Sequence, residues 1–304
     1  MPEQIHSRTL LYAAFAAVYL IWGSTYLAIR FAIETMPPFT MAGVRFLIAG
    51  GVLYSWLRLR KVDRPKPIHW RTAFIVGGLM LLGGNGGVVW AELFVPSGLA
   101  ALVVATVPLW IVLLVWLTGR GRPSIAVVLG LLVGFGGVVW LMGPERIAGG
   151  ERIEPVGAIV LVLAALAWAI GSLYFREAPH PESQSLATAM SMLVGGALLL
   201  VAGSAAGELA ELDVSAFSAK SWVAFWYLVV FGALVAFSAY LWLMGATTPT
   251  RAATYAYVNP VVAVILGWIL AAEPLNPRVI IAATVIVGAV ALIVTEQGAK
   301  PSKT

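Results

Sequence analysis

Long apolar runs follow one another along almost the whole of this chain, separated by short polar connections. A helix that crosses a bilayer needs about 20 predominantly apolar residues, and 61% of the 304 residues are hydrophobic whereas 11% are charged. This pattern leaves no stretch for a soluble domain and predicts an all-α polytopic membrane protein. We predict ten transmembrane helices, at residues 9–29, 39–58, 71–92, 96–117, 124–142, 155–175, 186–207, 221–243, 251–272 and 276–295.

The distribution of Lys and Arg predicts how these helices are oriented. Basic residues in short loops resist translocation. With a cytoplasmic N-terminus, the inner segments hold 13 Lys and Arg whereas the outer segments hold five. We therefore expect both termini to be cytoplasmic. The formal net charge of +5 indicates no nucleic-acid partner, because this bias and contact with anionic lipid account for it.

The two halves of the chain share short motifs at similar spacing. Gly23-Ser24-Thr25-Tyr26 recurs 148 residues later as Gly171-Ser172-Leu173-Tyr174, and Pro108 recurs 152 residues later as Pro260. Since each half holds five predicted spans, an odd number, the two halves would cross the membrane in opposite directions. Such inverted repeats are typical of secondary transporters, which alternate access to a site near the midplane.

This repeat divides the chain into two predicted units around a central cavity. Residues 1–143 form the first five-helix repeat, and residues 144–304 form the second, which ends in a short cytoplasmic tail. The connections between spans are short, so all ten helices are expected to belong to one bundle.

Six motifs, taken in their order and spacing, resemble the EamA family of the drug/metabolite transporter superfamily. They are Ile21-Trp22-Gly23-Ser24-Thr25-Tyr26, Pro37-Pro38, Arg45-Phe46, Pro96-Ser97-Gly98-Leu99-Ala100-Ala101, Tyr255-Ala256-Tyr257-Val258-Asn259-Pro260 and Glu273-Pro274-Leu275. The resemblance covers essentially the whole chain and is closest to bacterial inner-membrane exporters. It implies two inverted five-helix repeats, a central cavity, an inner-membrane location and export of amino acids or other small metabolites.

Pro108 and Pro260 are the candidate hinges, because both lie inside predicted spans. Proline has no amide hydrogen and crowds the preceding turn, so the carbonyls of Val104 and Ala256 would need another partner in the bilayer. For either proline alone, a static kink satisfied by Thr106 or by a neighbouring helix is an equal interpretation. Their matched positions in the two halves favour a hinge or a discontinuity that lines the pathway.

Tyr255 and Asn259 share one helical face, since they are four residues apart. Asn259 would lie about 12 Å from the inner end of its helix. Its amide can donate and accept hydrogen bonds, so it could bind a zwitterion or polar head group, or it could lock two helices together. The sequence favours neither interpretation.

Aromatic residues mark the equivalent spans of the two halves. Trp22 and Tyr26 continue a stripe that begins at Tyr19, and Trp168 lies on the related span, nearer the inner side. Such stripes more often pack against lipid or neighbouring helices than line a ligand site. The inverted pairing nonetheless suggests an outer and an inner gate layer, so Trp22, Tyr26 and Trp168 are candidate pathway residues.

Arg45 is the one basic residue well inside a predicted span, about 9 Å from its outer end. A charge at depth is rare unless it is paired, hydrated or functional. Arg45 could extend outward to the interface, or pair with Glu92, which ends the third span on the same side and shares a face with Asn85. Alternatively, Arg45 could bind a substrate carboxylate with Glu92 as counter-ion. Asn85 is a candidate pathway residue as well, because it lies on the same helical face as Glu92.

The absence of acidic residues from the middle of every span bears on the coupling of transport. A buried proton relay is hard to build without them, so we expect facilitated diffusion or exchange. Glu92 lies near the outer end of its span and could still sense external pH or support proton antiport.

These features together predict a secondary transporter that exports small metabolites, preferably amino acids or related amphipathic solutes, by alternating access. A multidrug or cationic-compound exporter is the alternative, because aromatic faces can hold cations, and a non-transporting receptor or scaffold is the second. We expect no enzyme, cofactor or metal, because the chain has no Cys and its three His fall in tails or loops. The expected partners are a small-molecule substrate and the bilayer, and a monomer could form the pathway.

Overall fold

The computed structural model of this chain describes residues 8–119, 124–142, 155–247, 252, 254–275 and 277–299. The regular structure in these ranges is helical. The main helices are α1 (Arg8–Ala32), α2 (Pro38–Leu59), α3 (Pro67–Ala91), α4 (Ser97–Leu117), α5 (Ile125–Met142), α6 (Pro155–Glu177), α7 (Gln184–Ala205), α8 (Ala219–Ala246), α9 (Tyr255–Ala271) and α10 (Pro277–Ala299). A short 3₁₀ turn, Val214–Ala216, lies between α7 and α8.

Seven of these helices are long and apolar enough to cross a membrane, namely α1 to α4 and α6 to α8. Three shorter apolar stretches, at 125–137, 258–271 and 277–292, belong to α5, α9 and α10. The chain is therefore a polytopic, all-helical membrane protein over the residues that the structure describes.

Proline and left-handed residues mark the ends of several helices. α2 begins at Pro38 and α3 at Pro67. The first N–H groups of a helix have no intrahelical acceptor, so a proline at this position costs no hydrogen bond. Gly119 follows α4 with a φ of 70° and Gly207 follows α7 with a φ of 85°. Glycine adopts this left-handed conformation without a Cβ clash, so it ends a helix cleanly.

The packing joins helices of the first half to helices of the second. α2 lies along α7, α5 lies along α10, and α4 packs against α9. α1 packs against α8 and α9, while α6 packs against α3 and α4. The resulting bundle surrounds a central cavity.

Two close contacts between helices depend on glycine. A Cβ added at Gly23 would lie 2.7 Å from the Cβ of Val262, where α1 crosses α9, and one added at Gly77 would lie 2.8 Å from the main-chain nitrogen of Gly195, where α3 crosses α7. Small residues let helices approach closely enough to pack in a bilayer.

Three membrane helices contain a π-helical stretch, which has wider turns than an α-helix. The stretches are Ala17–Ile21 in α1, Gly77–Gly86 in α3 and Leu228–Phe237 in α8. The last two have the same length, ten residues, and begin 151 residues apart. π-helical turns are rare and often occur at functional sites.

The two interior prolines differ in their surroundings. Pro108 lies in the first turn of the second segment of α4, after an interruption that follows Val104, and the hydroxyl of Thr106 donates to the carbonyl of Val103 at 2.7 Å. Pro260 lies inside the continuous helix α9. A discontinuity at Pro260 was therefore a wrong expectation, because a proline only five residues after the helix start at Tyr255 removes little of the hydrogen bonding. The hinge roles stay predictions.

Candidate functional site

A central cavity of about 70 Å³ lies between helices of both halves. Since one water molecule needs about 10–15 Å³ of such volume, the cavity has room for a few waters, and a metabolite would enter only if the helices moved. Its lining is Trp22, Thr25, Tyr26, Ile29, Arg45, Phe46, Leu81, Gly84, Asn85, Val88, Val104, Ala164, Trp168, Gly232, Phe237 and Tyr255. Six of the seven predicted pathway residues are in this set, and Asn259 is not.

Arg45 is buried on the wall of the cavity. Its side chain has 3% of its surface exposed, and Nη2 donates a hydrogen bond of 2.5 Å to Oδ1 of Asn85. The guanidinium also lies over the ring of Phe46, 4.5 Å from the ring centroid. Nε has no hydrogen-bond partner. The interpretation in which Arg45 extends outward to the interface is therefore wrong, because the guanidinium turns to the amide in α3.

Glu92 is fully buried at the predicted outer end of α3, with 0% of its surface exposed. Neither carboxylate oxygen has a hydrogen-bond partner. The expected ion pair with Arg45 is not formed, because Asn85, two helical turns nearer the centre of the bundle, takes the guanidinium instead. Arg30 donates from Nη1 to the main-chain carbonyl of Glu92 at 2.8 Å, so this cation binds the backbone.

Four aromatic rings from four helices form one cluster beside the cavity. The ring of Trp22 lies 5.4 Å from that of Trp168, 5.0 Å from that of Tyr240 and 5.3 Å from that of Tyr255, measured between centroids. Trp22 and Trp168 each lie near the middle of their helices, so they meet at one level. The expectation that they form separate outer and inner gate layers was wrong. Tyr26 lies one turn further along α1.

Tyr240 was missed by the sequence analysis although it completes the cluster. It is 0% exposed, and its hydroxyl makes a 2.9 Å hydrogen bond with Oγ of Ser172. The available signal was a tyrosine deep in the long apolar helix α8, since a buried phenol needs a polar partner. Trp168 contributes a second polar atom, because its Nε1 is buried and has no partner.

Asn259 joins two helices instead of lining the cavity. It is 3% exposed, and in the amide orientation that satisfies its surroundings the nitrogen donates to the carbonyls of Tyr19 at 2.9 Å and Tyr255 at 3.2 Å. The Tyr19 carbonyl belongs to the π-helical stretch of α1. Of the two open interpretations, these contacts favour the helix lock.

Two glutamates of the second half cap helices of the first half. Glu208, just after α7, accepts hydrogen bonds from the main-chain nitrogens of Phe39 (3.0 Å) and Thr40 (2.7 Å) at the start of α2. Glu273, just after α9, accepts from Ser97 N at 2.7 Å and from Gly98 N at 3.0 Å at the start of α4. A carboxylate there satisfies free N–H groups and complements the helix dipole.

Comparison with known proteins supports a transporter. The EamA-like transporter family matches residues 9–143 and 155–295. The "Uncharacterized inner membrane transporter YedA" of Escherichia coli (strain K12) is 40% identical over 295 residues, covering 96% of this chain and 93% of that protein. The "Uncharacterized transporter YvbV" of Bacillus subtilis (strain 168) is 24% identical over 314 residues, covering 99% and 96%.

A solved structure, named only "Crystal structure of protein", has the same fold. It superimposes with a TM-score of 0.66 at 22% identity and covers 94% of this chain and 97% of that chain. The family match extends over both halves of the sequence, and the 40% identity to an inner membrane transporter extends over nearly all of it. This chain is therefore a member of the EamA-like transporter family.

Proposed function

We propose that this protein is a secondary transporter that exports small zwitterionic or amphipathic metabolites, most favourably amino acids, across the inner membrane by alternating access. The observation that carries the proposal is the buried guanidinium of Arg45 on the cavity wall, bonded to the neutral amide of Asn85. None of the residues that line the described cavity is an Asp or a Glu. The cavity therefore offers an unneutralised cation to a substrate carboxylate.

The remaining wall suits the apolar part of such a substrate. The aromatic rings of Trp22, Trp168 and Tyr255 face the cavity, and they provide apolar surface together with π faces that attract an ammonium group. The unpartnered Nε1 of Trp168 is a further donor. Arg45 and the aromatic cluster thus suit the two ends of a small zwitterion.

Alternating access is supported by the packing pattern. Exchanging α1 with α6, α2 with α7 and so on through α5 with α10 leaves the α2–α7, α4–α9 and α5–α10 contacts in place. The same exchange turns the contacts of α1 with α8 and α9 into those of α6 with α3 and α4. The equal π-helical stretches of α3 and α8 follow the same exchange. Ten spans in two inverted repeats, residues 1–143 and 144–304, would explain this pattern. With both termini cytoplasmic, the Glu208 and Glu273 caps lie on the outer side.

A cationic-compound exporter is favoured by one observation, the aromatic cluster, since rings of this kind hold cations. Arg45 weakens that alternative because its buried positive charge repels a cation in the same cavity. A receptor or scaffold that transports nothing would not need a buried guanidinium that no carboxylate of the cavity neutralises.

Efflux from proteoliposomes tests the proposal. Vesicles would be loaded with a mixed pool of amino acids and small metabolites, and loss of each compound would be measured with wild-type protein, Arg45→Gln and Arg45→Lys. We expect selective efflux that falls at least about tenfold in Arg45→Gln, because one charge-assisted hydrogen bond contributes about 1.5–3 kcal/mol. Arg45→Lys should recover part of it, since an ammonium keeps the charge but not the planar donor pair.

The matched control is Arg60→Gln, because Arg60 is an exposed arginine at the opposite end of the same helix, α2. It should transport as the wild type does. Efflux of cationic dyes that Arg45→Gln accelerates would favour the cationic-compound exporter. No efflux of any compound from folded protein would favour the receptor or scaffold.

A further inference from the structure

Glu92 is the one buried acidic side chain of the described residues whose carboxylate oxygens bind nothing. It follows the last turn of α3, is 0% exposed, and neither oxygen has a hydrogen-bond partner. Buried carboxylates in proteins are ordinarily paired with a cation or held by donors. The two capping glutamates are only half-buried and each accepts hydrogen bonds from main-chain nitrogens, so Glu92 stands apart from them.

The cations near Glu92 are bound elsewhere. Arg30 of α1 donates to the main-chain carbonyl of Glu92, and Arg45 of α2 donates to Asn85. The other titratable neighbours are Tyr26 of α1 and Glu273, the cap of α4. The negative charge of Glu273 disfavours a negative charge on Glu92.

Among the residues that the structure describes, the other elements near Glu92 bring no titratable group to it. The outer half of α6, which packs on α3, has none, since its charged residues lie at its other end. The first segment of α4 has none in its sequence.

We propose that Glu92 is a proton-binding site on the outer side of the transport pathway, and that its charge state selects the partner of Arg45. An ionised carboxylate that is withdrawn from water and has no donor is strongly disfavoured. A bound proton removes that charge and leaves the arrangement of the structure intact. The proposal rests on the proposed function, because it assigns the regulation of the same cavity.

The two charge states have different consequences for substrate. With the proton bound, Arg45 stays on Asn85 at the cavity wall and can hold a substrate carboxylate. When Glu92 loses the proton to the outer side, its negative charge attracts Arg45 away from the cavity and repels the cap at Glu273. Release of substrate to the outside should therefore be faster at alkaline than at acidic external pH.

Infrared spectroscopy tests the proton site without any substrate. The wild-type protein should show the C=O stretching band of a protonated carboxyl group at neutral pH, and alkaline titration should remove it. Glu92→Gln should lack this band, whereas Glu211→Gln, which changes an exposed carboxylate between α7 and α8, should keep it. If Glu92→Gln does not fold, Glu92→Asp should shift the band. Absence of the band from the wild type, or its persistence in Glu92→Gln, overturns the proposal.

Efflux at different external pH values tests the coupling to Arg45. In the wild type the release rate should fall about tenfold from alkaline to acidic external pH, the size expected for one charge-assisted contact. Glu92→Gln should release slowly at every pH. A steep pH dependence in Glu92→Gln overturns the role of Glu92 in release. A carboxyl band at Glu92 without transport of any compound would leave the proton site standing and reject the proposed function.

Discussion

Glu273 closes the start of α4 by accepting hydrogen bonds from the main-chain nitrogens of Ser97 and Gly98, at 2.7 and 3.0 Å, and from the Ser97 hydroxyl at 2.7 Å. The carboxylate comes from the turn after α9, 175 residues away along the chain from Gly98. The contact therefore ties the two halves together at one end of the bundle.

Removing this cap should destabilise the fold. We expect Glu273→Ala to lower the free energy of unfolding by about 1–2 kcal/mol, the usual effect of losing an N-cap, and Glu208→Ala to do the same at α2. Thermal unfolding in detergent measures both. Glu211→Ala, on an exposed residue of the segment that contains Glu208, should change little. An equal loss in that control would contradict a capping role.

Asn85→Asp should inhibit transport while keeping the fold. The new carboxylate would pair with Arg45 in place of the neutral amide, so the guanidinium would be neutralised before a substrate arrives. We expect the KM for efflux to rise at least about tenfold, equivalent to about 1.4 kcal/mol, with an unchanged or higher melting temperature. Asn85→Ala leaves Arg45 charged and should bind substrate. Equal KM values for the two variants would exclude an anion-binding role for Arg45.

Gly23→Ala should weaken the contact between α1 and α9. The added methyl group would lie 2.7 Å from Cβ and 2.9 Å from Cγ1 of Val262, a branched side chain with little freedom to move. Overpacking of this kind costs about 1–3 kcal/mol, which thermal unfolding would detect. Gly51→Ala is the control in α2, because nothing lies within 4 Å of the added atom. Because alanine favours a helix more than glycine does, Gly51→Ala should keep or raise the melting temperature. An equal fall in both variants would contradict overpacking against Val262 as the cause.

The predicted orientation can be tested by single-cysteine labelling, since the chain has no Cys of its own. A membrane-impermeant thiol reagent added outside intact cells should label Glu211→Cys and leave Arg60→Cys unlabelled. Breaking the cells should make Arg60→Cys reactive. Labelling of Arg60→Cys in intact cells would place the termini outside.

The π-helical stretch of α3 should tolerate the loss of one residue better than an α-helical segment does. Deleting Gly78, inside Gly77–Gly86, would turn a wide turn into an α-helical one and leave both ends of α3 facing their neighbours. We expect monodisperse, folded protein with reduced transport, because Asn85 would shift on the cavity wall. Deleting Val52 from α2 should unfold the protein, since every later residue would rotate by about 100° on a helix of 3.6 residues per turn. If both deletions prevented folding equally, the π-helical stretch would not tolerate the loss of a residue better than α2 does.

The sequence was informative where a residue type has a strong preference for, or against, the interior of the membrane. Apolar runs located the main helices, seven of which are long and apolar enough to cross a membrane. The rarity of buried charge singled out Arg45, which does line the cavity. The partner of Arg45 could not be predicted from the sequence. Glu92 and Asn85 share one face of α3, and only the packing of α2 on that helix decides between them. Charge attraction alone favoured Glu92, and the amide nearer the centre took the hydrogen bond.

Other features left no local signal. Glu208 caps a helix that begins 170 residues earlier in the chain, at Pro38, so nothing beside Glu208 in the sequence indicates its role. The π-helical stretches are apolar and glycine-containing like the α-helical spans, and apolar length alone does not distinguish a wide turn from an ordinary one. Tyr240 differs from these, because a tyrosine deep in an apolar helix is itself a signal of a buried polar contact. The sequence does not indicate its partner, since Ser172 lies in another helix.

The wide turns of α3 and α8 also affect how this bundle could be rebuilt. A helix with i→i+5 hydrogen bonds packs more residues into each turn than an α-helix does, so Gly77–Gly86 and Leu228–Phe237 hold extra chain length inside the bilayer. If a π-helical turn became α-helical, the same residues would span a longer distance along the helix axis. The loops at the two membrane surfaces would not need to supply any residue. A chimaera that grafts α3 or α8 onto another scaffold must therefore match the number of residues in the helix as well as the distance that it spans.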